Sequence, residues 1–154
     1  MELNKHEKDF LQRASKFCAY RERCTFEVKE KLKSLGANYN TQEKIIALLQ
    51  EGNYLDDKRF AEIYARGKHR NNKWGKEKIK NGLYQKKIET SIIETALDSL
   101  DEALYTETLS YLIAQKIART KADSDFELRK KIADYLIGKG YEVNLVWEKL
   151  KEKV

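Results

Sequence analysis

Apolar residues recur three and four positions apart along much of the chain, which is the spacing of an amphipathic helix. Val28, Leu32 and Leu35, followed by Ile45, Ile46 and Leu49, form one such series. Ile79 and Leu83, followed by Ile88, Ile92, Ile93, Ala96 and Leu97, form a second, and Leu128, Ile132, Tyr135 and Leu136, followed by Tyr141, Leu145, Val146 and Leu150, a third. An aromatic stands shortly before or at the start of each: Phe26, Trp74 and Phe126. The same pattern written three times predicts an all-α chain of tandem three-helix repeats. One such unit is too small to bury its own apolar face, so stacked neighbours would supply the missing surface. A single globular bundle of helices is the plainer alternative.

Polar punctuation places the helices. One is expected over residues 5–21. Thr25 is read as the cap of the next, which runs through Leu35 and stops at Gly36. Thr41 opens another that Gly52 closes, and Asp56 or Asp57 begins one reaching about His69, with Asn71 and Asn72 as a turn. Further helices are expected over 75–86, 89–99, 101–119, 124–137 and 143–152, with Gly138 and Gly140 marking the last break. Grouped in threes, they give an N-terminal helical extension over 1–13, a first repeat over 14–53 that partly shares the first helix, a second over 54–100 and a third over 101–154.

Composition strengthens the helical reading. The 154 residues contain no proline, where average usage would give about eight. Charged residues make up 36% and apolar ones 41%, a mixture suited to half-exposed helices over thin cores. No stretch is long and apolar enough for a membrane span, and the polar start of the chain does not read as a signal peptide, so a cytoplasmic location is expected.

Charge is where the picture sharpens. Between Tyr64 and Lys87 the cations Arg66, Lys68, Arg70, Lys73, Lys76, Lys78, Lys80, Lys86 and Lys87 face only Glu77, while the whole chain carries a net charge of only +6. The following stretch to Gln115 has no Lys or Arg and carries Glu89, Glu94, Asp98, Asp101, Glu102 and Glu107. A local surplus of this kind attracts polyanions; the bland reading is a solvated lysine-rich helix face.

Catalytic chemistry is hard to find. His6 and His69 lack a ligand set, so no metal and no cofactor are expected, and neither a phosphate-cradling glycine loop nor a nucleophile elbow occurs. Cys18 and Cys24 read as reduced, small apolar core residues. Asp56 and Asp57 are best explained as a helix cap and a favourable charge at the positive helix end, not as an acid and base. An enzyme is therefore not expected.

The segment Tyr54-Leu55-Asp56-Asp57-Lys58-Arg59-Phe60-Ala61, with Tyr64, Arg66, Gly75, Ile79, Leu83 and Ile88, resembles the signature of the RecX family, bacterial regulators of the RecA recombinase. Tyr20 to Arg23 with Glu27 to Leu32 is similar to the family's first repeat, and Leu136 to Tyr141 to the end of its third, so the resemblance covers roughly residues 14–150. It implies three tandem three-helix repeats forming an elongated, curved helical rod. It also implies a regulatory protein, without catalysis, that binds the RecA filament on single-stranded DNA. The consequences would be inhibition of recombinase, ATPase and co-protease activities, hence modulation of DNA repair and the SOS response.

Under that resemblance Arg59, Arg66, Lys68, Arg70, Lys73 and Lys76 are expected to supply the central contacts, with Arg21 and Arg23 contributing from the first repeat. The RecA filament is the expected partner, single-stranded DNA a candidate second partner through the basic stripe, and a monomer the expected state. Tyr54, Leu55, Phe60, Ala61 and Tyr64 read as packing residues. The sequence departs from the family pattern at Gly82, where an acid is usual, and at Lys87, where a glycine is usual. A kink or a shortened helix is expected at the first, and another way of ending the helix at the second. The alternative function is a helix-turn-helix-like protein that binds DNA directly; the spread of the cations around Lys73 to Lys80 argues against a single groove-reading face.

Overall fold

The computed structural model describes residues 2–154, and Met1, the first residue of the expected 1–13 extension, lies outside the described residues. Among the described residues there are nine α-helices and no strand. They are α1 (Lys5–Tyr20), α2 (Thr25–Ser34), α3 (Tyr39–Glu51), α4 (Asp57–Asn72), α5 (Lys76–Gln85), α6 (Thr90–Asp98), α7 (Glu102–Arg119), α8 (Asp125–Gly138) and α9 (Val143–Lys153). The all-α expectation holds; α1, α2 and α3 pack on one another, and α7, α8 and α9 likewise. Phe26, Trp74 and Phe126 fall at or just before the start of α2, α5 and α8, the middle helix of each triplet.

Capping explains most boundaries and corrects several. Asn4 caps α1 in a reciprocal box with Glu7, its Oδ1 accepting from the Glu7 N–H at 2.8 Å while Glu7 Oε1 accepts from the Asn4 N–H at 2.9 Å. Cys24, not Thr25, precedes α2; its N–H donates to Glu27 Oε1 at 3.1 Å, and the Thr25 N–H and hydroxyl both donate to Asp57 Oδ1, at 2.7 and 3.0 Å. Asn38, not Thr41, caps α3, since its side chain accepts the Thr41 N–H at 2.9 Å. At α4 the Asp56 carboxylate accepts the Arg59 N–H at 3.1 Å, as read from the sequence. The pair Asn71-Asn72 is not a turn: α4 continues through both and is stopped by Lys73, whose φ is 56°.

The chain divides into two compact units. The first holds the chain as far as Ala61 together with Tyr84–Ile93. Its core is built from Ala14, Cys18, Val28, Leu32, Ala37, Ile45, Ile46, Leu49 and Leu55, with Phe10, Leu11 and Phe17 laid against it. Phe60 and Ala61 are buried as expected, but Tyr54 is not a packing residue: it is 52% exposed, its ring lying over Gly52 at the exit of α3. Cys18 and Cys24 are free and buried, and burial pushes both thiols up, that of Cys24 to about 11.

The second unit holds Glu62–Leu83 and Glu94–Val154. Tyr105, Leu109, Leu112, Ile113, Ile132, Ala133, Leu136, Tyr141, Val146 and Leu150 form its core. Burial raises the phenol of Tyr105, as does its hydrogen bond to Glu142. That hydroxyl also accepts the Lys76 N–H at 2.9 Å, tying the start of α5 to α7.

Both departures from the family pattern acquire a physical explanation. Gly82 does not interrupt α5, which is continuous from Lys76 to Gln85. Instead it admits Tyr64, half-buried, whose hydroxyl lies 2.1 Å from where a Cβ at position 82 would stand. Lys87 ends the turn after α5 by taking the left-handed conformation itself, with φ 57°, while its N–H donates to the Tyr84 carbonyl at 2.9 Å. That conformation suits glycine and strains other residues by about 1–2 kcal/mol. Lys87→Gly is therefore expected to stabilise the protein by about 0.5–1 kcal/mol, after the added freedom of glycine in the unfolded chain is subtracted. A urea midpoint that stays put or falls would contradict this.

Candidate functional site

The eight sequence-predicted contact residues meet very different fates. The three of them that lie in the first unit, all arginines, are held by their own chain. Arg59 clasps Glu22, with Nε and Nη2 donating to Oε1 at 2.8 and 2.7 Å, and its Nη1 also donates to Asn53. The hydrogen bond it donates to Glu22 holds its pKa above the usual arginine value. Arg23 is only 9% exposed, its guanidinium 3.7 Å from the centre of the Phe17 ring and its Nε donating to the Phe17 carbonyl at 3.0 Å. Arg21 pairs with Glu27 at 3.1 Å. Burial of Glu27 opposes its ionisation, but the Cys24 N–H and the charges of Lys86 and Arg21 outweigh this and hold the carboxyl below the usual range. The sequence could not reveal these commitments, because Arg59 and Glu22 are far apart in the chain.

In the second unit Lys76 is likewise engaged, paired with Glu102 and lying 4.7 Å from the centre of the Tyr105 ring. The remaining four are available. Arg66 and Arg70, one turn apart on α4, are exposed and form no ion pair among the described residues. They line a cavity of about 250 Å³ together with His69, Ser99, Leu100, Asp101 and Leu104. His69 Nδ1 is bonded to the Trp74 carbonyl at 2.9 Å, which fixes the exit of α4, and its Nε2 is buried without a partner. Lys68 and Lys73 flank that same exit.

The left-handed residue Lys73 turns the chain so that Trp74 follows directly, and the Trp74 N–H reaches back to the Lys68 carbonyl at 3.3 Å. The Trp74 ring then gathers two ammonium groups, Lys68 at 4.9 Å and Lys78 at 4.8 Å from its centre, and Lys68 also stands 5.5 Å from the Tyr64 ring. Lys73 stands 6.0 Å from the ring of Tyr111. Two more cations come from the third triplet. Lys139 donates to the Asn72 carbonyl at 2.9 Å, and Lys116 lies 3.9 Å from the ring of Tyr135. Sequence reasoning counted Lys78 in the basic run but did not single it out. It missed Lys116 and Lys139, which lie well beyond that run; the only sequence signal for Lys139 is its place beside Gly140.

A backbone contact sets this arrangement. The Gly75 N–H donates to the Lys139 carbonyl and the Glu77 N–H to the Gly140 carbonyl, both at 2.9 Å, and the Tyr141 hydroxyl donates to the Lys73 carbonyl at 2.9 Å. Only glycines permit it: a Cβ on Gly75 would lie 2.3 Å from backbone atoms of Gly140 and Tyr141, and Gly140 itself has φ +101°.

The fold and this surface define a helical-repeat protein with a cationic face, and among the described residues no cluster of ligands suited to a metal ion is present. Comparison with known proteins then gives the family. Models of the second and third three-helix domains of RecX match residues 56–97 and 104–150. The Regulatory protein RecX of Clostridium acetobutylicum is 36% identical over 131 residues, covering 82% of this chain and 60% of that protein. That of Prosthecochloris aestuarii is 31% identical over 142 residues, covering 92% of this chain and 91% of its own length. The crystal structure of RecX from Lactobacillus salivarius superposes with a TM-score of 0.90 at 27% identity over 97% of both chains. The chain belongs to the RecX family of regulatory proteins. It spans only 56–60% of the length of several clostridial relatives it matches. No helix among the described residues is long and apolar enough to cross a membrane.

Proposed function

We propose that this protein regulates the RecA recombinase by docking on the RecA filament assembled on single-stranded DNA, and that docking inhibits the filament's recombinase, ATPase and co-protease activities. Membership of the RecX family carries the reading, and the unpaired guanidiniums of Arg66 and Arg70 beside Lys68 and Lys73 support it. Four cations without acidic partners present a desolvation-ready surface to a polyanion or an acidic protein groove, and arginine forks bind carboxylates and phosphates with two parallel hydrogen bonds. Bound in the groove, the protein would obstruct a second DNA strand and repressors of the LexA type. Arg21, Arg23, Arg59 and Lys76 are held by their own intramolecular contacts and are not assigned to this surface. The action is cytoplasmic, where the filament forms, and needs no cofactor.

The test is ATP hydrolysis by the cognate RecA on single-stranded DNA with this protein titrated in at moderate salt. Hydrolysis is expected to fall as protein is added. Unchanged hydrolysis at saturating protein shown to be folded would defeat the reading.

A further inference from the structure

We infer that the cavity between the second half of α4 and the amino end of α7 is a binding site for a phosphate group that still carries an ionisable O–H, as inorganic phosphate or a small phosphate monoester does. His69 Nε2 receives that hydrogen, and Arg66 and Arg70 hold the anionic oxygens. The site goes beyond filament docking and requires neither RecA nor DNA.

The donors and acceptors around the cavity do not balance without such a ligand. A carbonyl oxygen only accepts, so the 2.9 Å contact with Trp74 places the hydrogen of the neutral imidazole on Nδ1 and leaves Nε2 an acceptor. His69 is 4% exposed and its Nε2 has no partner, a costly state for a buried polar atom. The ring is also packed against that of Tyr105, with centres 5.1 Å apart, so it is not free to turn and find one. Asp101 is a second acceptor: its carboxylate lines the same cavity and caps α7 by accepting the Leu104 N–H at 3.0 Å. Ser99, whose hydroxyl donates to the Ala96 carbonyl at 2.6 Å, offers the cavity only its oxygen.

Against these acceptors stand two guanidiniums. Arg66 and Arg70 form no ion pair among the described residues, and the positive end of the 18-residue α7 adds its partial charge. A ligand that satisfies both sets must be anionic and must also donate a hydrogen. Sulfate and phosphate diesters donate nothing, so they would first require protonation of His69. A carboxylate has only two oxygens, and the two arginine forks would take both. A phosphate monoester has three free oxygens and a second pKa of about 6, and the Asp101 charge favours its singly charged, O–H-bearing form. A cavity of about 250 Å³ admits a phosphate with a few carbon atoms attached and is small for a nucleotide.

The test is NMR of the imidazole nitrogens in the ring-labelled full chain, at constant neutral pH and ionic strength. The chain has two histidines, and His6, exposed in the first unit, is the internal control. Inorganic phosphate and glycerol phosphate are each expected to move the His69 Nε2 signal saturably at millimolar concentration and to leave His6 unmoved. Comparing the two tells whether the free ion or the monoester is the tighter ligand, and saturation by either upholds the site. Sulfate and dimethyl phosphate should bind about tenfold more weakly for want of the O–H. Arg66→Gln combined with Arg70→Gln should weaken phosphate binding about tenfold with the unfolding midpoint unchanged. Lys33→Gln combined with Lys130→Gln, two exposed lysines elsewhere on the chain, should change neither. A His69 signal indifferent to phosphate, equal affinity for sulfate, or full affinity in the arginine variant would overturn the site. No filament enters the measurement, so its failure leaves the docking proposal standing, and a failure of docking leaves this site standing.

Discussion

Gly75→Ala is expected to cost the protein at least about 3 kcal/mol. The new methyl group would sit 2.3 Å from Gly140 C and Tyr141 N. Both are backbone atoms and neither can swing aside, so the two segments must separate. Separation weakens the bonds from Gly75 N to the Lys139 carbonyl and from Glu77 N to the Gly140 carbonyl, each contributing about 0.5–1.5 kcal/mol, and loosens the Tyr141 bond to the Lys73 carbonyl. Strain from overpacking adds about 1–3 kcal/mol. Gly67→Ala is the control. Gly67 lies within α4 with nothing within 4 Å of an added Cβ, so alanine should hold or raise stability by about 1 kcal/mol. Urea unfolding of the two variants would decide the matter; a Gly75→Ala loss below about 1 kcal/mol would mean that the backbone contact is not a fixed feature of the fold.

The second large effect is functional. Arg66→Glu with Arg70→Glu should raise the concentration needed to inhibit RecA ATP hydrolysis by about 10–100-fold while leaving the unfolding midpoint within about 0.5 kcal/mol of the unaltered protein. Stability should be spared because both side chains are exposed and break no ion pair when replaced. Inhibition should suffer because the reversal removes two guanidinium forks and substitutes carboxylates that repel an anionic surface. Arg59→Glu provides the contrast. It would leave Glu22 facing a like charge and lose the contacts at 2.7 and 2.8 Å, so any fall in inhibition would come with a fall in stability. Inhibition undiminished by the Arg66 and Arg70 reversal, with the fold intact, would place the docking surface elsewhere.

Much of this fold is written locally. A helix depends on contacts three and four residues apart and on a cap at each end, so the apolar series and the glycines at 36 and 52 were enough to locate α2 and α3 within a few residues. The errors were local too: at α3 the Asn38 side chain accepts the exposed N–H although Thr41 looked equally suitable, and at α2 the Glu27 carboxylate reaches back to the Cys24 N–H, which places the boundary one residue before Thr25. The signature over residues 54–66 identified the family because its residues lie in one short stretch of chain.

The site was only half legible for the opposite reason. A sequence shows how many cations there are but not which of them already have partners. Arg59 finds Glu22 and Lys76 finds Glu102 across folded helices, which turned two expected contacts into internal ones, while Lys116 and Lys139 entered the cationic face from the third repeat. Gly82 looked like a helix breaker until Tyr64 was seen to occupy its missing side chain's space. By itself, then, the sequence determined the helices, the repeat, the family and the region of positive charge, because each depends on residues close together in the chain. Which cations stay free, which glycines permit backbone contact and where the lysines converge were decided only by the tertiary structure, because each depends on pairs that folding alone brings within reach.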